Sequence, residues 1–149
     1  MELNEKFNII FYNRGVGGFI TDELGINDLS YPDIPIAQMI DHYDQILCQV
    51  KAALPDVKLY LMAYYPINYD AATEEMKPCL LVRTNQKIAE ANAAVKKLAE
   101  KYHAKYMDIN DPLKDENGNL KAEYTIEGMH IKEEGYRAIF PKFIRYAME

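Results

Sequence analysis

Val57-Lys58-Leu59-Tyr60-Leu61-Met62-Ala63-Tyr64-Tyr65, closed by Pro66, is the stretch on which the fold turns. It is apolar or aromatic on both of its alternating faces, so both faces need cover, as in a central strand of a parallel sheet with helices on each side. Pro66 cannot donate to a ladder and ends the run. Upstream, Ile36, Ile40, Tyr43, Leu47, Val50 and Leu54 recur at three- and four-residue steps, which predicts one stripe on a helix that Pro55 stops. Downstream, Ile88, Ala91, Val95, Leu98 and Tyr102 mark one face of a second helix between roughly Leu80 and Tyr102, and AKYMDI, Ala104 to Ile109, reads as another short strand. Further out, NIIFY, Asn8 to Tyr12, is a short apolar run before a Gly-rich turn and reads as a buried strand. DENGN, Asp115 to Asn119, is a turn by composition, and Lys132 to Ala147 reads as a final helix interrupted or restarted at Pro141. Strands alternating with helices predict an α/β fold in which ligands gather beyond the carboxyl ends of the strands. The Gly-rich turn and Tyr64-Tyr65-Pro66 both lie at such ends.

The 149 residues amount to one domain, 1–149, with 49% hydrophobic and 27% charged residues, close to globular averages. A net charge of −6 argues against a nucleic-acid partner, since phosphate binding is driven by clustered Lys and Arg. Lys96-Lys97 is expected to face water. Cys48 and Cys79 are too few for a disulfide scaffold and lack the spacing of a zinc site, which points to a reducing compartment. MELNEKFNII carries no basic stretch followed by a long apolar core, and no run approaches the ~20 apolar residues that span a bilayer. The expectation is a soluble, cytoplasmic protein whose chain begins almost inside its first strand. Neither the histidines nor the acidic pairs show ligand spacing, so no metal or organic cofactor is implied.

Three segments carry chemistry. NRGVGGFITDE, Asn13 to Glu23, follows a strand, yet Gly15, Gly17 and Gly18 lack the Gly-x-Gly-x-x-Gly spacing of a dinucleotide loop, and the Lys-Ser/Thr of a P-loop is absent. Glycines there expose backbone N–H groups able to stabilise an oxyanion. GINDLS, Gly25 to Ser30, offers the side-chain amide of Asn27 as a second donor, although Asn27-Asp28 also fits a plain turn cap. EGMHIKEEGY, Glu127 to Tyr136, places a carboxylate three residues before His130, a spacing that lets the acid orient an imidazole and stabilise its charged form. His42, on the polar side of a helix, and His103, at a helix end, read as structural or solvated.

These segments, in this order, resemble the blocks of the SGNH (GDSL-type) esterase and lipase family, and AYYPIN, Ala63 to Asn68, is similar to a segment of its acetylhydrolase-like branch. The resemblance implies a three-layer α/β/α sandwich, flavodoxin-like, and a serine acyl-enzyme mechanism. It makes Gly18 the backbone oxyanion donor, Asn27 the side-chain donor, His130 the general base and Glu127 its orienting acid. The substrate class it implies is a small ester: a short-chain acyl ester, a lysophospholipid or an acetylated carbohydrate.

The sequence departs from that family in three places. Gly-Asp-Ser occurs nowhere, and Ser30, the only serine, lies three residues beyond Asn27, on the wrong side of the site for a nucleophile. Leu24 runs directly into Gly25 where relatives carry a helix and a strand, so the reading is of a truncated member whose sheet is reduced by loss of central strands. Glu127 stands where the family has Asp, one methylene longer. The alternative to an ester hydrolase is a non-catalytic remnant that binds a small ligand or forms a homo-oligomer through exposed strand edges.

Overall fold

The computed structural model of the protein describes residues 25–148, so the strand expected at Asn8–Tyr12 and the NRGVGG turn lie outside the described residues. Helix α1, Ile36–Ala53, buries Tyr43, Leu47 and Val50 of the predicted stripe and also Met39, which the stripe did not include, while Ile36 and Ile40 are half-buried, Leu54 is exposed, and the helix ends before Pro55. Strand β1, Tyr60–Met62, runs parallel to β2, Lys105–Met107, with Tyr60 opposite Lys105, Leu61 opposite Tyr106 and Met62 opposite Met107. Between them lie helices α2, Lys77–Val82, and α3, Asn85–Lys101. Helix α4, Glu133–Met148, follows two short 3-10 turns, Asp111–Leu113 and Ala122–Tyr124.

Consecutive residues of β1 point to opposite faces and enter two different cores. Leu61 joins Tyr43 and Leu47 of α1 and Ile88, Ala91 and Val95 of α3. Met62 joins Met107, Leu113, Leu120 and Ile139 of α4. The chain is therefore α/β, a small parallel sheet covered by helices on both faces, which is the arrangement a doubly apolar strand demands.

Four local expectations change. The run Val57–Tyr65 pairs as a strand only over Tyr60–Met62; Ala63 N still donates to Met107 O at 2.9 Å, and from Tyr64 on side-chain amides take over backbone groups. Asn92 accepts from Tyr64 N at 2.7 Å and donates to Tyr64 O at 3.1 Å, and Asn110 adds a second donor to that carbonyl at 2.8 Å. Asn85 treats Ile67 likewise, accepting from its N at 2.8 Å and donating to its O at 2.9 Å. Asn85 and Asn92 stand about two turns apart on one face of α3, so the helix supplies what a neighbouring strand otherwise would. The second strand is shorter too, Lys105–Met107 rather than Ala104–Ile109, and Asn110 just beyond it is a buried member of that amide set.

The helix expected from Leu80 to Tyr102 is two helices. Thr84 is extended and its hydroxyl accepts from Lys87 N at 3.1 Å, a side-chain cap that starts α3 afresh after Arg83. Conversely, α4 runs through Pro141 without interruption. Pro141 and Arg137, whose carbonyl the proline leaves without a helical donor, are both exposed, so that carbonyl can turn to water. The Asp115–Asn119 turn forms as composition predicts, with Asp115 Oδ1 accepting from Asn117 N and Asn119 N, each at 2.9 Å.

Candidate functional site

The GIND segment forms a 3-10 turn, Ile26–Ser30, that buries Leu29 and leaves Asn27 exposed. What holds the turn is a pair of cations at the α2–α3 junction. Arg83, only 3% exposed, donates from Nη2 to Asn27 Oδ1 at 3.2 Å and from Nε to Ser30 Oγ at 2.8 Å. One helical turn later, Lys87 Nζ donates to the carbonyl of Leu29 at 3.0 Å. Ser30 is thereby a fixed acceptor on a guanidinium, a setting opposite to that of a hydroxyl activated by a base.

The EGMH segment is shaped by Gly128, whose φ of +92° is a left-handed conformation that side-chain-bearing residues rarely adopt. Its N–H donates to the hydroxyl of buried Thr125 at 2.9 Å, and its carbonyl accepts from Asn68 N at 2.7 Å. Asn68, the last residue of AYYPIN, is itself buried and donates from Nδ2 to Leu120 O at 2.7 Å. A Cβ on residue 128 would stand 2.4 Å from Asn68 O, so the two segments touch backbone to backbone.

On this turn Glu127 Oε1 accepts both from the backbone N of His130 at 2.8 Å and from its ring Nδ1 at 2.5 Å. The Glu127 side chain is 16% exposed and that of His130 72% exposed. A carboxylate on Nδ1 selects the tautomer protonated there and leaves Nε2 as the proton acceptor.

The two segments meet at Arg83. Its third donor, Nη1, reaches Met129 Sδ at 2.9 Å, so one guanidinium bonds to Asn27 and to the residue directly before His130. Sequence reasoning passed over Arg83, Asn68 and Thr125. The one available signal was an arginine placed immediately after the apolar run CLLV. Gly18 lies outside the described residues. His42 and His103 are exposed, and His103, with φ of +51°, follows the end of α3. Among the described residues no group of three His, Cys, Asp or Glu is placed to hold a metal ion, and no helix is long and apolar enough to cross a membrane.

The model of the GDSL-like Lipase/Acylhydrolase family matches residues 7–138. Among solved structures, one from Streptococcus pneumonia, provisionally named a platelet activating factor, is 29% identical with a TM-score of 0.74 over 84% of this chain and 57% of its own. A GDSL-like lipase from Bacteroides thetaiotaomicron is 20% identical with a TM-score of 0.67, over 85% of this chain and 60% of that one. An acetylxylan esterase from Geobacillus stearothermophilus, solved as a catalytic mutant, is 16% identical with a TM-score of 0.60, over 83% and 56%. The chain thus spans less than two thirds of the length of each of these structures. No curated protein matches it.

Proposed function

Because the chain belongs to the GDSL-like Lipase/Acylhydrolase family, we propose that it carries the general-base and oxyanion side of an ester-hydrolase site. The observation that carries this reading is the pair of bonds from Glu127 Oε1 to His130, which hold an exposed imidazole in the tautomer a general base needs. His130 Nε2 takes the proton of the attacking hydroxyl as the ester carbonyl becomes tetrahedral, and Glu127 stabilises the imidazolium formed. The oxyanion is met by Nδ2 of Asn27 and the backbone N–H of Gly18. When the intermediate collapses, the imidazolium returns the proton to the leaving alcohol. The attacking hydroxyl is assigned to no residue of these 149, since Gly-Asp-Ser is absent and Ser30 is engaged by Arg83. The substrate class is a small ester, with a short acyl group such as the acetyl of an acetylated carbohydrate first among candidates, and a lysophospholipid next.

The test is hydrolysis of p-nitrophenyl acetate by the chain and its His130→Ala variant. Imidazole attacks activated phenyl esters without any site, so His42→Ala, which removes an exposed histidine from α1, is the control. A rate above that of the control-corrected background, lost with His130 and kept without His42, is expected. Equal rates for both variants sink the enzyme reading and favour the second one, a non-catalytic binder, which draws its support from the fixing of Ser30 by a buried cation. Self-association through strand edges belongs to that second reading, and a monomer on size-exclusion chromatography contradicts it.

A further inference from the structure

We infer that Arg83 is a positioning residue for the oxyanion donor, an inference that rests on the role proposed above for Asn27. An amide has two ends, and only its nitrogen can donate to an oxyanion; an exposed asparagine is otherwise free to rotate and to present its oxygen instead. Arg83 Nη2 on Asn27 Oδ1, at 3.2 Å, removes that ambiguity: the oxygen is committed to a cation, and Nδ2 is the end that faces a substrate. A guanidinium on the carbonyl also draws electron density through the amide and makes its N–H groups better donors.

Three features suit Arg83 to this role and not merely to filling space. It is buried, so its hydrogen bonds are strong and its rotamer is set by packing. It caps the end of α2, immediately before the residue that starts α3, so its backbone is anchored by two helices. Its planar fork reaches two side chains of the Asn27 turn with Nε and Nη2 and the sulfur of Met129 with Nη1, which a lysine's single ammonium cannot reproduce. The same group therefore bonds both to the Asn27 amide and to the side chain of Met129, the residue directly before His130.

The experiment is NMR of the full chain, following the side-chain NH2 of Asn27, identified by its loss in Asn27→Ala. In the native protein the two protons should be well dispersed and as rigid as the backbone. In Arg83→Lys they should collapse to the narrow positions of a free amide. An unchanged Asn27 signal in Arg83→Lys overturns the inference whatever the activity. Should Arg83→Lys fail to fold, the converse decides it in Asn27→Ala, where the exposed site leaves packing intact: resolved Arg83 Nη signals that are lost support the coupling, and unchanged ones refute it. Hydrolysis then separates the two levels of the reasoning. Arg83→Lys is expected to lower kcat about as much as Asn27→Ala, with KM little changed and the double variant no slower than either, whereas a merely structural arginine would slow the Asn27→Ala protein further. A collapsed amide signal with hydrolysis indifferent to Asn27 keeps the positioning and discards the function.

Discussion

Replacing Gly128 by alanine tests whether the turn bearing His130 is held by backbone contact, and the cost can be worked from two terms. The first is the dihedral: a φ of +92° costs an L-residue ~1–2 kcal/mol, of which the alanine recovers ~0.4–1 kcal/mol by restricting the unfolded chain. The second is contact. The new Cβ would lie 2.4 Å from Asn68 O and 2.9 Å and 3.0 Å from the Cβ and Cα of Ala72. None of these atoms ends a flexible side chain, so relief requires moving one turn off the other and stretching the 2.7 Å bond from Asn68 N to Gly128 O. Overpacking of this kind costs ~1–3 kcal/mol, giving a total of roughly 2–4 kcal/mol.

Gly118 supplies the control, since its φ of +80° is similar but a Cβ added there would meet nothing within 4 Å, so Gly118→Ala should show the dihedral term alone, ~1 kcal/mol or less. Urea or thermal denaturation followed by circular dichroism reads the difference, each kcal/mol moving Tm by about 2–4 °C at this chain length. Hydrogen exchange at the His130 amide should quicken in Gly128→Ala as its bond to Glu127 is disturbed, and stay unchanged in Gly118→Ala. Equal losses of stability in the two variants would refute the reasoning, because the contact between residues 68 and 128 would then contribute nothing.

Further outcomes follow from the polar groups around the cores. Burial, and then the bond to Asp44, push the Tyr102 hydroxyl up to about 12, and burial first, then Asp108, does the same for Tyr106. Both hold their protons longer folded than unfolded, so their stabilisation is complete below pH 10 and lost as pH rises towards 12; ultraviolet titration should show late-ionising tyrosines, one of which disappears in Tyr102→Phe and another in Tyr106→Phe. The hydrogen bond from Lys101, reinforced by Tyr102, holds the Asp44 carboxyl below its ordinary value of 3.8, so this contribution is present above that value and fades as pH falls through the lower, folded one. Asp44→Asn should flatten the acid limb of a stability profile, and an unaltered limb counts against the pairing. Asn92→Ala removes an acceptor from Tyr64 N and a donor to Tyr64 O, and should cost ~1–3 kcal/mol in urea denaturation; a loss below ~0.5 kcal/mol would mean that water replaces the amide readily.

The alternation of elements was legible because burial on both faces leaves a direct mark: VKLYLMAYY has no polar face, and the stripes around Tyr43 and Val95 have one each. Strand length was not legible. Apolar character reports which residues are buried, whereas pairing reports where the backbone finds partners, and at Tyr64 and Ile67 those partners include Asn85, Asn92 and Asn110, from positions no local pattern joins to residue 64 or 67. The break at Thr84 was available in principle as a capping signal, yet the apolar spacing runs across it and favours one helix. Pro141 misled in the other direction, since its penalty depends on whether the orphaned carbonyl is buried, a property of the fold and not of the residue.

The candidate site divides along the same line. Glu127 and His130 are three residues apart, and a tight turn suffices to bring them together, so sequence spacing carries the pairing. Asn27 and the EGMH turn are about a hundred residues apart, and the group between them, Arg83, belongs to neither motif. A motif can name the atoms that meet a substrate, but the distances among them are properties of what lies between, and here that is one buried guanidinium with Asn27 and Ser30 on one side and Met129 on the other. The bonds by which it links Asn27 to the turn before His130 lie within residues 27–129, so that link is carried by this stretch of chain. That makes the arrangement testable on these 149 residues, independently of where the attacking hydroxyl comes from.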